Sequence, residues 1–107
     1  MARRPKQAQP PLLELGALRI DQRAHRALAH GQVIPLTPRE FALLSLLARH
    51  RGRVFTRNEI LERTAGSDSE SSERSVEALV FGLRRKLAAA SLDGLVQTRR
   101  GIGYLIP

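Results

Sequence analysis

Arg74, Ser75, Ala78, Phe81, Gly82, Arg84 and Arg85 fall within one stretch, ERSVEALVFGLRRKL, and their types suit contact with a polyanion. A guanidinium can grip a phosphate or a guanine edge through two parallel N–H donors. A serine hydroxyl can donate to a phosphate oxygen, and an alanine methyl or a phenyl ring can meet a thymine methyl. A glycine on a helix face allows another backbone to come close. A second cluster, Thr98, Arg99 and Arg100, lies in QTRRGIGYLI near the C-terminus. Arg57 opens a short helical stretch, where free backbone N–H groups also favour an anion. Each residue has a plainer reading: a solvated helix charge, a rim charge, or a residue that helps a helix start.

The elements that must position these residues can be read from spacing. A helix over about 72–87 puts Val76, Val80, Leu83 and Leu87 on one side, with Leu79 close to that stripe. Arg74, Ala78, Phe81 and Arg85 fall on the other side, with Gly82 and Arg84 beside them. Ser71 and Ser72 suit its N-cap, and Arg84-Arg85-Lys86 suits the negative end of its dipole. Two explanations stay open for Phe81 on this outer side: it folds back onto the domain with Gly82 making room, or it meets thymine methyls with Gly82 letting the helix come close. Gly82 costs such a helix up to about 1 kcal/mol against alanine, and close approach to a ligand is one reason to keep it.

Two more helices carry clear start signals. Thr37-Pro38-Arg39-Glu40 is a capping box with proline at the first helical position, followed by a broad apolar face from Phe41 to Ala48 and a stop at Arg51-Gly52. Thr56-Arg57-Asn58-Glu59 is a second capping box, opening a shorter helix to about Ala65, closed by Gly66. Before them, Leu12–Leu15, Leu18–Ile20, His25–Ala29 and Val33–Leu36 predict a small antiparallel sheet of three or four strands, punctuated by Gly16 and Gly31. After the third helix, Leu95–Thr98 and Tyr104–Ile106 flank an Arg/Gly tip and predict a β-hairpin. Sheet, three helices and a basic hairpin make an α+β chain: a helix-turn-helix with a wing.

Residues 1–11, MARRPKQAQPP, lack apolar periodicity and are expected to be a flexible linker or tail, leaving 12–107 as one domain. The charge balance is 18 Lys plus Arg against 10 Asp plus Glu, or +8, and Lys6 and Lys86 are the only lysines. Arginine-rich basicity of this kind points to nucleic acid. Cysteine is absent, which excludes disulfides and thiolate metal sites. No apolar run approaches the length needed to cross a bilayer, and no secretory leader is evident, so cytoplasmic location is expected. His25, His30 and His50 fall in a strand, a turn and a helix end without clustered co-ligands, so no metal site is expected. No nucleophile is paired with a base, no enzyme is expected, and no cofactor is implied. Gly101 and Gly103 lack the following helix of a nucleotide loop and suit a hairpin tip.

The segments LTPREFALLSLLARHRGRVFTRNEIL, ERSVEALVFGLRRKL and QTRRGIGYLI resemble, in order and spacing, the winged-helix effector domain of OmpR/PhoB-type bacterial response regulators. The resemblance covers about residues 12–106. It implies a four-stranded N-terminal sheet, a third helix that enters the major groove of double-stranded DNA, and a wing, 99–103 here, on the minor groove or backbone. It implies phosphate or base contacts by Arg74, Arg84 and Arg85, and wing contacts by Thr98 and Arg100. It further implies head-to-tail binding to direct repeats, control by a phosphorylated receiver domain and a sensor kinase outside this chain, and a possible RNA polymerase contact through loop 66–73. The chain departs from the family at Glu77, Leu79 and Phe81-Gly82, at Ala65 before the loop glycine, and at Arg99 in the wing. The family's base preferences therefore do not carry over. Two other classes stay open: a winged helix that docks on protein, and a basic RNA binder, although the chain offers few aromatic residues for stacking.

Overall fold

The computed structural model describes residues 12–64 and 73–107. Four short strands come first: β1 (Leu12–Leu15), β2 (Leu18–Asp21), β3 (Arg26–Ala29) and β4 (Gln32–Ile34). They form an antiparallel sheet in the order β1-β2-β3-β4. Leu18, Ile20, Ala27, Ala29 and Ile34 turn inward, as the period of two requires. The β3–β4 connection is the two-residue turn His30-Gly31, with φ of 52° and 81°. Positive φ at both central positions matches the right-handed twist of the strands. His25, expected in a strand, instead has φ 55° and ends the β2–β3 turn, so β3 begins at Arg26. Asp21 Oδ1 accepts from the Arg23 and Ala24 amides there, holding the turn one residue longer.

The helices follow their caps. In α1 (Pro38–Arg49) the Thr37 hydroxyl accepts from the Glu40 amide, and Glu40 Oε1 accepts from the Thr37 amide. The helix ends at His50, before the Arg51-Gly52 stop expected from sequence. In α2 (Arg57–Thr64) the same reciprocal bonds join Thr56 and Glu59. α3 (Glu73–Ala89) runs two residues past Leu87 and buries Val76, Leu79, Val80, Leu83 and Leu87. α1 is central: Phe41, Leu43, Leu44, Leu46, Leu47 and Ala48 are buried between the sheet and the other helices.

The hairpin is β6 (Gln97–Arg99) and β7 (Gly103–Leu105), later by two residues on its first strand than the apolar run Leu95–Thr98 suggested. It gains a third strand that the sequence did not disclose. β5 (Phe55–Thr56) pairs with β7, giving the order β5-β7-β6. This strand ties the α1–α2 connection to the wing and buries Phe55 completely. The architecture is thus α+β: a four-stranded sheet, three helices and a three-stranded winged end. The expected tail 1–11, the Ser71 and Ser72 caps, the Ala65-Gly66 helix end and most of loop 66–73 lie outside the described residues.

Candidate nucleic-acid interface

α3 presents its two faces as the spacing predicts. Ala78, Phe81 and Arg85 are exposed on the side away from the core. Phe81 is 64% exposed, so it is not a core residue. The Arg85 guanidinium lies 5.9 Å from the Phe81 ring centroid, one turn along, giving an apolar plate edged by charge. Arg74 and Ser75 fall in the first turns of α3; their side chains lie outside the described residues.

Gly82 does not belong to that face. A Cβ placed on it would stand 2.7 Å from Glu40 Oε2, across on α1. The glycine makes room for a carboxylate within the fold, one of the two explanations that the sequence left open. Glu40 is 7% exposed, and its Oε1 accepts from Lys86 Nζ at 2.7 Å as well as from the Thr37 amide. Burial opposes ionisation of Glu40, but the Lys86 ammonium and the Thr37 capping bonds outweigh it and hold the carboxyl below its usual range. Gly82→Ala therefore sets a helix gain of up to about 1 kcal/mol against displacement of this fixed carboxylate. The expected result is a net destabilisation of about 1 kcal/mol in thermal unfolding, not the stabilisation that helix propensity alone gives. A raised melting temperature would contradict it.

The basic run at the end of α3 also divides. Lys86 serves Glu40. Arg84 turns to the wing: Nε and Nη2 donate to the Val96 carbonyl at 3.2 and 3.1 Å, and Nη2 donates to Thr98 Oγ1 at 2.6 Å. Its guanidinium carbon lies 5.5 Å from the Tyr104 ring centroid. Arg85 alone of the three faces outward without an ion pair or hydrogen bond to the described residues.

At the wing, Arg99 is the last residue of β6, opposite Gly103. Arg100 to Ile102 form the tip, closed by the Ile102 amide donating to the Arg99 carbonyl at 2.8 Å. Gly101 takes φ 77°, which the turn requires. β6 ends at Arg99, and Arg99 and Arg100 are both exposed. Ile102, 56% exposed at the tip, was missed in the sequence; its signal is an apolar residue between two hairpin glycines. Arg57, at the first position of α2, pairs with Glu77 of α3 at 3.0 Å, while its Nε is buried without a hydrogen-bond partner among the described residues. The pair is half exposed, so it holds the two helices together only weakly. It also leaves Arg57 less free for a phosphate than its place at a helix start suggested.

Two of the three histidines lie against aromatic rings, and His30 is exposed in the β3–β4 turn. His25 lies tilted against Phe41 at 5.2 Å and His50 against Phe55 at 5.7 Å between ring centroids. Burial, and then the guanidiniums of Arg49, Arg53 and Arg63, keep the His50 imidazole below its usual range. Among the described residues no group of histidines and carboxylates is placed to hold a metal ion, and no helix is long and apolar enough to cross a membrane.

Comparison with known proteins gives these features a context. The response regulator protein PmrA of Pseudomonas aeruginosa is 39% identical over 94 residues, which are 88% of this chain and 41% of PmrA. The chain thus spans less than half the length of that relative. The DNA-binding domain of response regulator AdeR, solved in complex with an intercistronic region, matches with a TM-score of 0.80 at 28% identity, over 87% of this chain and 96% of that one. The RstA DNA-binding domain of Klebsiella pneumoniae, solved in complex with the RstA box, matches with a TM-score of 0.76 at 29% identity, over 89% and 95%. The family model described as transcriptional regulatory protein, C terminal, matches residues 31–106, and with the sheet, the three helices and the wing in place, the chain belongs to that family of response-regulator effector domains.

Proposed function

We propose that this chain binds double-stranded DNA with sequence specificity, as the effector domain of a two-component response regulator. α3 lies in the major groove and the wing tip on the minor groove or backbone. The observation that carries the reading is the outward plate of Ala78, Phe81 and Arg85 on α3, in a fold shared with domains solved on DNA. Nothing in the fold explains a large exposed phenyl ring there, whereas a groove lined with thymine methyls does. Arg74, Arg85 and Arg100 supply phosphate affinity, with Ser75 and Thr98 as uncharged backbone contacts and Arg99 and Arg57 as rim charges beside the phosphates. The domain acts in regulation and not in catalysis.

The wider assembly belongs to the same proposal. Two copies bind head to tail on direct repeats. A receiver domain, phosphorylated by a sensor kinase, governs their pairing, and loop 66–73 meets RNA polymerase. The setting is the bacterial cytoplasm. Selection of duplexes from a random pool by the purified chain tests the reading. Enrichment of a repeated half-site supports it; a pool that stays random while the chain remains folded overturns it in favour of a protein-docking role.

On the selected site, Phe81→Ala is expected to keep the melting temperature and the non-specific affinity. Discrimination at one or two thymines should fall by about 1 kcal/mol each. Thermal unfolding and competition against single-base variants of the site measure both quantities. A loss of stability of 3 kcal/mol or more would make Phe81 a core residue and remove it from the interface.

A further inference from the structure

We infer that Arg84 is a positioning residue that fastens the wing to α3, and not itself a ligand of DNA. The inference rests on the DNA-binding reading for its consequence, but its structural part stands without it. β6 is the outer strand of the β5-β7-β6 sheet, so its free edge carries backbone groups that no neighbouring strand satisfies. The Val96 carbonyl, at the start of that edge, belongs to a residue only 4% exposed. It therefore needs a donor from within the fold. Arg84 supplies two, from Nε and Nη2, in the forked geometry that a guanidinium alone provides. The remaining Nη2 hydrogen goes to Thr98 Oγ1, inside β6, and the guanidinium lies near the Tyr104 ring in β7. One side chain of α3 thus grips the residue before β6, a residue within it, and a ring of the next strand. Among the described residues no other hydrogen bond joins α3 to this hairpin.

Arg84 thereby sets the angle between the two parts that must meet a duplex together, α3 and the tip carrying Arg100. It also occupies Thr98 Oγ1 as an acceptor and leaves the hydroxyl's own proton free to donate to a phosphate. A loose wing would have to be ordered at the moment of binding, at an entropic cost that a fixed wing avoids.

Arg84→Lys separates the roles. Lysine keeps the positive charge and serves a phosphate nearly as well, but it cannot fork onto a carbonyl and reach a hydroxyl at once. In the free chain, amide order parameters over Gln97 to Gly103 should drop from the rigid range, about 0.85, towards 0.6, with α1 and α2 unchanged. On DNA, Arg84→Lys should lose roughly three- to tenfold in affinity, and almost nothing when Arg100→Ala is already present, because both act through the wing. The salt slope in the Arg100→Ala background should be the same with and without Arg84→Ala. Unchanged order parameters, wild-type affinity in Arg84→Lys, or a slope shallower by about 0.9 on adding Arg84→Ala would each overturn the positioning role. Failure of the wild-type chain to bind any duplex would instead overturn the DNA reading, and the order parameters would still decide whether Arg84 holds the wing.

Discussion

Gly103→Ala is expected to destabilise the chain by about 3 kcal/mol, at or beyond the upper end of ordinary overpacking. Gly103 sits in β7, the central strand of the winged end, paired with Thr56 on one side and Arg99 on the other. Its φ is not in the left-handed region, so conformational freedom is not the reason for the glycine. The reason is space. A Cβ would fall on the Phe55 carbonyl oxygen, with Phe55 C at 2.7 Å and Thr56 Cα at 3.0 Å. These are backbone atoms and cannot rotate aside. Relief requires parting β5 from β7, which disturbs Phe55, a side chain with no exposed surface. For a domain of this size about 3 kcal/mol corresponds to a melting temperature lower by roughly 12 to 24 °C. Thermal unfolding followed by circular dichroism measures it. A shift of only a few degrees would mean that β5 and β7 are not in close contact.

Lys86→Met is expected to cost about 2 kcal/mol at neutral pH, and its pH dependence identifies the cause. Removing one partner of a buried ion pair leaves the other charge without compensation, commonly at 3 to 5 kcal/mol. The Lys86 side chain is 34% exposed, against 10% for Glu40, so the pair is partly screened and the lower figure applies. In the wild type the Glu40 carboxyl is held below its ordinary value of 4.5. Its contribution to stability is therefore complete above that value and is lost as pH falls through the lower folded value. Without Lys86, only the Thr37 bonds remain to offset burial, so ionisation of the carboxyl supports folding less. The stability gap between the two proteins should be widest near pH 7 and close as pH drops below about 4.5. Melting temperatures of both proteins across that range provide the check. Parallel curves would show that the pair contributes nothing specific.

Much of this fold was legible because its signals are local. Thr37 to Glu40 and Thr56 to Glu59 announce two helices within four residues each, and the structure forms both capping boxes. The stripe from Val76 to Leu87 gave the buried face of α3 for the same reason. What the sequence concealed depends on partners far along the chain. β5 is two residues long and is a strand only because β7 lies beside it. Gly82 kept two explanations open because Glu40, which it accommodates, lies on another helix. Arg84, Arg85 and Lys86 are adjacent and chemically alike, yet they go to the wing, to the open face and to α1. Adjacent positions on a helix diverge by about 100°, so a basic run that the sequence groups at the negative end of the dipole divides among three separate sites. His25 fell outside its expected strand because a turn held by Asp21 runs one residue longer.

The division of that basic run bears on the central claim, that this chain binds duplex DNA through α3 and the wing. Four arginines, Arg74, Arg84, Arg85 and Arg100, suggested a log–log salt dependence of roughly −3 to −4 per domain. With Arg84 committed to the wing, Arg74, Arg85 and Arg100 remain, and three contacts at about 0.9 each give a slope of about −2.7. Titrating salt against the affinity of the purified chain for its selected duplex is the most direct measurement. A slope of about −2.7, reduced to about −1.8 by Arg100→Ala, is the predicted result. A slope near zero on the best duplex would contradict the account.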